Sequence, residues 1–184
     1  PIGLGEVFVV SGQSNAQGFE GISTKAANDE RVICINNFFA YSYNAHPFPT
    51  FSKIEAHSRI APTGLNAWCW GELGDLLVRR LNVPVLFINT AFDGLQIDAW
   101  VASANGGYGI NPFSGTPMPI GYPFNSLKNS LQQYVTQLGI RAILFHQGET
   151  DNYLRTSEED YYQKLGKTIE NSRNVSGRYV SWVV

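Results

Sequence analysis

Charge is scarce in this chain, and so is cysteine. Thirteen lysines and arginines stand against 15 aspartates and glutamates in 184 residues, for a formal net charge of -2. No basic field is available to hold a nucleic-acid backbone or an anionic membrane surface. No apolar run approaches the roughly 20 residues that a membrane-crossing helix needs. Cys34 and Cys69 are the only cysteines. Two cannot build a disulfide framework, and their spacing matches no zinc motif. They read as two free thiols, with a single bridge as the alternative. Repeats, low-complexity tracts and linkers are also missing, so residues 1–184 read as one domain. Hydrophobic residues at 43% are enough to give that domain a real core rather than a disordered chain.

What is present alternates. Apolar runs at 6–11, 83–89 and 140–146 read as buried parallel strands, and "RYVSWVV" from Arg178 to Val184 reads as a fourth. Helical patterns lie between them. "WGELGDLLVRRLN" places Leu73, Leu76, Leu77 and Leu81 on one face. "FNSLKNSLQQYVTQLG" does the same with Leu127, Leu131, Tyr134, Val135 and Leu138, and Gly139 is the stop signal. "TSEEDYYQKLGKTIE" opens on Ser157 as an N-cap, with Tyr161, Leu165 and Ile169 as its apolar face. Strand and helix in alternation predict an open α/β sheet. Residues 20–68 and 93–123 lack a clear period, and such long stretches point to functional loops. Their many aromatics, Trp68, Trp100, Tyr108 and Phe113 among them, read one by one as packing.

In an open sheet of this kind the ligand site lies beyond the carboxyl ends of the strands. The polar segments of the chain follow those ends. The first strand runs into Ser11-Gly12-Gln13-Ser14, the second into "NTAFDGLQIDAW" and the third into "HQGETDNY". Ser14 is the candidate nucleophile, because a serine on a tight turn exposes its Oγ and aims its own N–H at the same place. The sequence is not G-x-S-x-G, since Ala16 occupies the last position. Position alone favours a serine that caps a helix or closes a turn.

Three blocks taken together shift that balance. Gly12-Gln13-Ser14-Asn15, then Asp93-Gly94-Leu95-Gln96-Ile97-Asp98-Ala99-Trp100, then His146-Gln147-Gly148-Glu149-Thr150-Asp151 resemble the SGNH/GDSL hydrolase superfamily. The similarity is greatest to its carbohydrate-esterase branch, the sialate O-acetylesterase-like and acetylxylan-esterase-like proteins. In the second block Asp93 stands where the family has Gly, and Leu95 where it has a small hydroxyl residue. The resemblance implies a flavodoxin-like α/β/α fold with a central, mostly parallel sheet. It implies an O-acetylesterase acting on a carbohydrate, with no metal and no organic cofactor. By position it makes Ser14 the nucleophile and builds an oxyanion hole from the N–H groups of Ser14 and Gly94 and the side-chain amide of Gln147. An amide donor suits that role, being neutral, directional and untitratable. Gln13, Asn15, Glu149 and Asp151 are candidates for substrate contact or loop support, and for the two acids loop support is the preferred reading. Glu149 and Asp151 lack the oxygen-rich setting of a metal loop.

A serine hydrolase also needs a base and a carboxylate to orient it. The family carries both in an Asp-x-x-His block near its C-terminus, and residues 1–184 contain no such block. The sequence therefore reads as C-terminally incomplete, with the base beyond Val184. His46 and His57 lie in the irregular stretch and read as packing or surface groups. His146 matches the scaffold His of its motif, and a compensating pairing with Asp151 is the less favoured reading. Two rival functions remain: a non-catalytic carbohydrate-binding protein on the same fold, and an SGNH lipase or thioesterase. The expected partner is an acetylated carbohydrate, not nucleic acid or membrane; oligomeric state is not legible.

Overall fold

The structure, a computed structural model, describes residues 4–18, 24–39 and 46–184. Part of the irregular 20–68 stretch thus lies outside the described residues. A six-stranded sheet forms the middle layer, in the order β3-β2-β4-β1-β5-β6. Its strands are β1 (Glu6–Gly12), β2 (Val32–Ile35), β3 (Phe51–Lys53), β4 (Val85–Asn89), β5 (Ala142–His146) and β6 (Trp182–Val183). All neighbours pair in parallel except β2 with β3, which are antiparallel. The four apolar runs seen in the sequence are β1, β4, β5 and β6. The short β2 and β3 hide in the irregular stretch, where four- and three-residue strands leave too little pattern to read.

Each central strand is buried on both sides, which is why its sequence is a continuous apolar run rather than an alternation. Val7 and Val9 join the core on one face of the sheet, with Ile88, Ile143 and Phe145. Phe8 and Val10 join the other, with Val32, Cys34 and Phe87. Helix α2 (Trp70–Leu81) covers the second face. The first is covered by α3 (Ile97–Ala104), by the run α4 (Phe124–Asn129), a π-helical turn (Ser130–Tyr134) and α5 (Val135–Leu138), and by α7 (Glu158–Ser176). Two shorter helices, α1 (Ser14–Gln17) and α6 (Glu149–Tyr153), begin just beyond the ends of β1 and β5.

The helix expected at "FNSLKNSLQQYVTQLG" forms and buries Leu127, Leu131, Tyr134 and Val135, and Gly139 ends it at φ 80°. Ser157 caps α7, accepting a hydrogen bond from the Asp160 N–H at 3.2 Å. For α2 the buried face differs from the one the leucines suggest. Trp70, Gly74 and Val78 face the sheet, whereas Leu76 is 57% exposed and Leu81 is also exposed. The cause is Gly74: a Cβ there would stand 2.3 Å from Val32 Cγ1, so the helix comes close to β2 at a position without a side chain. Leu73 and Leu77 pack at the edge of that contact. The 93–123 stretch holds α3, whose Trp100 is fully buried edge-to-face against Phe145. Both cysteines are free. Among the described residues, no helix is long and apolar enough to cross a membrane.

Candidate active site

The chain leaves β1 toward β2 on one side of the sheet and leaves β5 toward β6 on the other. Divergent exits from adjacent strands open a crevice at their carboxyl ends. Gly12 and His146 pair at that point, and the Gln13 N–H donates to the His146 carbonyl at 2.9 Å. Only glycine fits position 12. Its φ is 126°, and a Cβ there would lie 1.9 Å from the His146 carbonyl oxygen. The two chains are thus pressed together where the first and third blocks meet.

Ser14 follows as the first residue of α1. It is not the helix cap, since Gln13 holds that place and makes no side-chain cap bond. Ser14 is half-buried, and among the described residues its hydroxyl has no hydrogen-bond partner. The turn beneath it is fixed instead by its neighbours. The Ala16 carbonyl accepts from the Trp70 indole at 3.0 Å and from Asn89 Nδ2 at 2.8 Å. Gln17 donates to the Thr63 carbonyl at 3.1 Å and accepts from the Asp93 N–H at 3.0 Å. The Phe92 N–H donates to the Gly12 carbonyl at 3.0 Å, so the loop after β4 is strapped to the same turn. Gly94, two residues on, has a φ of 68°.

Gln13 reaches the other way. Its Oε1 accepts from Gln147 Nε2 and from the N–H groups of Gly148 and Thr150, each at 3.3 Å, and its Nε2 donates to Thr150 Oγ1 at 3.3 Å. Gln147 Nε2 also donates to the Leu95 carbonyl at 3.1 Å and to Asp151 Oδ2. One amide therefore touches all three loops. Asp151 is buried and well supplied with donors, taking the Ile97 N–H at 2.9 Å and the Thr156 hydroxyl at 3.0 Å. Its work here is to tie α6 to the start of α3. Tyr161 donates to the Gln147 carbonyl at 2.9 Å; burial first, then the charges of Asp151 and Glu149, push its phenol up to about 12. Glu149 Oε1 accepts from Asn15 Nδ2 and lies 3.4 Å from His146 Nε2. The His146 ring stands 5.7 Å from that of Trp68.

The sequence blocks thus converge, with Ser14, Gly94 and Gln147 on the loops they were assigned to. The supports were not visible in them. Gln17, Asn89 and Trp70 hold the turn through side-chain bonds to distant backbone groups, which leave no spacing signal. The other histidines stand apart. His57 is exposed in a turn, and His46 is buried against Tyr134 with its Nε2 3.1 Å from Ser130 Oγ. No group of three or more His, Cys, Asp or Glu suited to a metal ion occurs among the described residues.

A family model described as "Carbohydrate esterase, sialic acid-specific acetylesterase" matches residues 4–179. Among solved structures, a carbohydrate acetylesterase from Xanthomonas citri is similar at 19% identity over 97% of this chain, with a TM-score of 0.62. This chain spans only 40% of that protein's length. An Arabidopsis thaliana protein is similar at 14% identity over 97% of this chain and 84% of its own, with a TM-score of 0.59. At these identities the likeness is one of fold. No curated protein matches.

Proposed function

The chain belongs to the sialic acid-specific acetylesterase family of carbohydrate esterases, and from that premise we propose that it is a serine esterase removing O-acetyl groups from a carbohydrate through an acetyl-serine intermediate. The observation that carries the reading is Ser14 itself. Its hydroxyl is spent on no cap or turn bond, and it stands where the divergent loops of β1 and β5 open the sheet.

In the proposed reaction Ser14 Oγ attacks the acetyl carbonyl carbon and passes its proton to a base. The carbonyl oxygen becomes an oxyanion, held by the N–H groups of Ser14 and Gly94, neither of which has a partner among the described residues, and by Gln147. The sugar alkoxide takes the proton and leaves, and water then hydrolyses the acetyl-serine. Gln147 can join the hole because its Nε2 has two protons and three acceptors: Gln13 Oε1, the Leu95 carbonyl and Asp151 Oδ2. One acceptor is always short of a proton, so turning an N–H toward a full negative charge gives up little and gains a charge-assisted bond. His146 Nε2 is directed at Glu149, which leaves His146 in the scaffold. The base is assigned to the Asp-x-x-His block that the resemblance implies.

The test is an acyl-chain series of p-nitrophenyl esters. Acetate should be turned over fastest, and Ser14→Ala should lose at least about a thousandfold in kcat. A preference for long acyl chains, or a Ser14→Ala rate equal to wild type, would contradict the proposal.

A further inference from the structure

A hairpin outside the three blocks also reaches Gly94. Between Gly109 and Met118 the chain folds back on itself. The Met118 N–H donates to the Gly109 carbonyl at 2.9 Å, and the Asn111 N–H to the Thr116 carbonyl at 3.0 Å. The tip is closed by the Asn111 side chain, whose Oδ1 accepts from the Phe113 and Ser114 N–H groups at 2.9 and 3.2 Å. Those two donors fix which end of the carboxamide is which, since only the oxygen can accept them. Nδ2 is thereby left over, with no hydrogen-bond partner among the described residues. It lies against Gly94: a Cβ added there would stand 2.7 Å from Asn111 Nδ2, closer than contact allows. Gly94 in turn sits between two anchors of the candidate site. The Asp93 N–H before it donates to Gln17 of α1 at 3.0 Å, and the Leu95 carbonyl after it accepts from Gln147 Nε2 at 3.1 Å.

We propose that Asn111 is a positioning residue for the esterase reaction: its amide nitrogen braces the Gly94 peptide and sets donor polarity beside it. The inference rests on the esterase reading, in which the Gly94 N–H is one donor to the oxyanion. Asn111 acts through that peptide and touches no reacting atom. Two properties make it suitable. Its oxygen is held by the hairpin tip, so the amide cannot turn and present an acceptor to Gly94. The end that does face Gly94 carries partial positive charge, is neutral overall and has no proton to lose, which is the sign wanted where negative charge develops. The contact also adds a second reason for glycine at position 94. Its φ of 68° disfavours a side chain, and Asn111 occupies the space a side chain would take. Shape and polarity can be separated here by one substitution. Aspartate has the outline of asparagine and can accept the same two N–H groups, but it turns a carboxylate oxygen toward Gly94.

The test compares Asn111→Asp and Asn111→Ala in the full chain, with p-nitrophenyl acetate as substrate, because that ester carries no sugar whose binding could be altered. Asn111→Ala should lower kcat by about tenfold, less than the loss of a donor in direct contact with the oxyanion. Asn111→Asp should lower it by about a hundredfold, the order expected of a carboxylate brought close to developing negative charge. KM should stay within about twofold of wild type in both, as for an interaction made only in the transition state. The melting temperature should run the other way, with Asn111→Asp within about 2 °C of wild type and Asn111→Ala lower, since only alanine removes the acceptor from the tip. A residue that merely makes the turn predicts the opposite order of rates, with alanine the more damaging. A kcat for Asn111→Asp equal to wild type or above that of Asn111→Ala, a change confined to KM, or a melting temperature for Asn111→Asp below that of Asn111→Ala would overturn the proposal. Wild-type protein that turns over the ester while Asn111→Asp matches it removes the role of Asn111 alone. Wild-type protein that does not turn it over removes the esterase reading, and this proposal with it.

Discussion

Gln147 would, in the proposed reaction, serve both structure and chemistry. Its amide meets acceptors from the loops after β1 and β4 and from α6. Removing it leaves those acceptors short and, in the proposed reaction, takes one donor from the oxyanion. Gln147→Ala should lower turnover by roughly a hundredfold or more, the usual loss for one such donor. Gln13 differs, for its four side-chain contacts all go to the β5–α6 loop and the first turn of α6. Gln13→Ala leaves the Gly148 and Thr150 N–H groups unmatched, at about 1–3 kcal/mol for buried polar groups. Urea unfolding should register that loss, and a midpoint within error of wild type would show that water replaces the Gln13 oxygen. At this scale the sequence was half legible. Ser14 and Gln147 are assigned because a three-block pattern singles them out, and hydrogen bonds join the loops of those blocks. The work of Gln17, Asn89 and Thr63 was hidden, since an amide bonded to a distant carbonyl has no periodicity.

Among the elements, α2 separates hydrophobicity from burial. Its leucine pattern located the helix but not its buried face, because the face is built on Gly74 and Val78. Periodicity scores large apolar side chains and is blind to a single glycine that lets a helix sit low on a sheet. Leu76→Lys should therefore change stability by no more than about 0.5 kcal/mol, as for an ordinary surface position. Val78→Ala, which opens a gap against the β2–β4 core, should cost about 2 kcal/mol or more. Equal costs from the two substitutions would put the leucines back on the inner face. The strands were legible where they lie in a continuous apolar run, as even the two-residue β6 does. β1, β4 and β5 are five to seven residues of apolar chain, whereas β2 and β3 are set by pairing to β4 and to each other.

At the scale of the whole molecule, stability should depend on pH through His46. Burial holds its imidazole down to about 4, from an ordinary 6.5. In the unfolded chain it takes a proton as pH falls through the ordinary value, while the folded protein refuses one until about pH 4. Between these limits the unfolded state binds more protons, so stability falls as pH drops from about 6.5 to 4 and the effect then saturates. The full difference is about 3 kcal/mol. His46→Phe should flatten that part of the curve of Tm against pH, and an unaltered slope would remove His46 as its source. The central claim is chemical, and one measurement addresses it most directly. Full-length protein is mixed with an acetyl ester, quenched in acid during turnover, digested and read by tandem mass spectrometry. The acetyl group is expected on Ser14, and should be absent from that peptide in Ser14→Ala. An acetyl group on another residue, or turnover with Ser14 never modified, would contradict it.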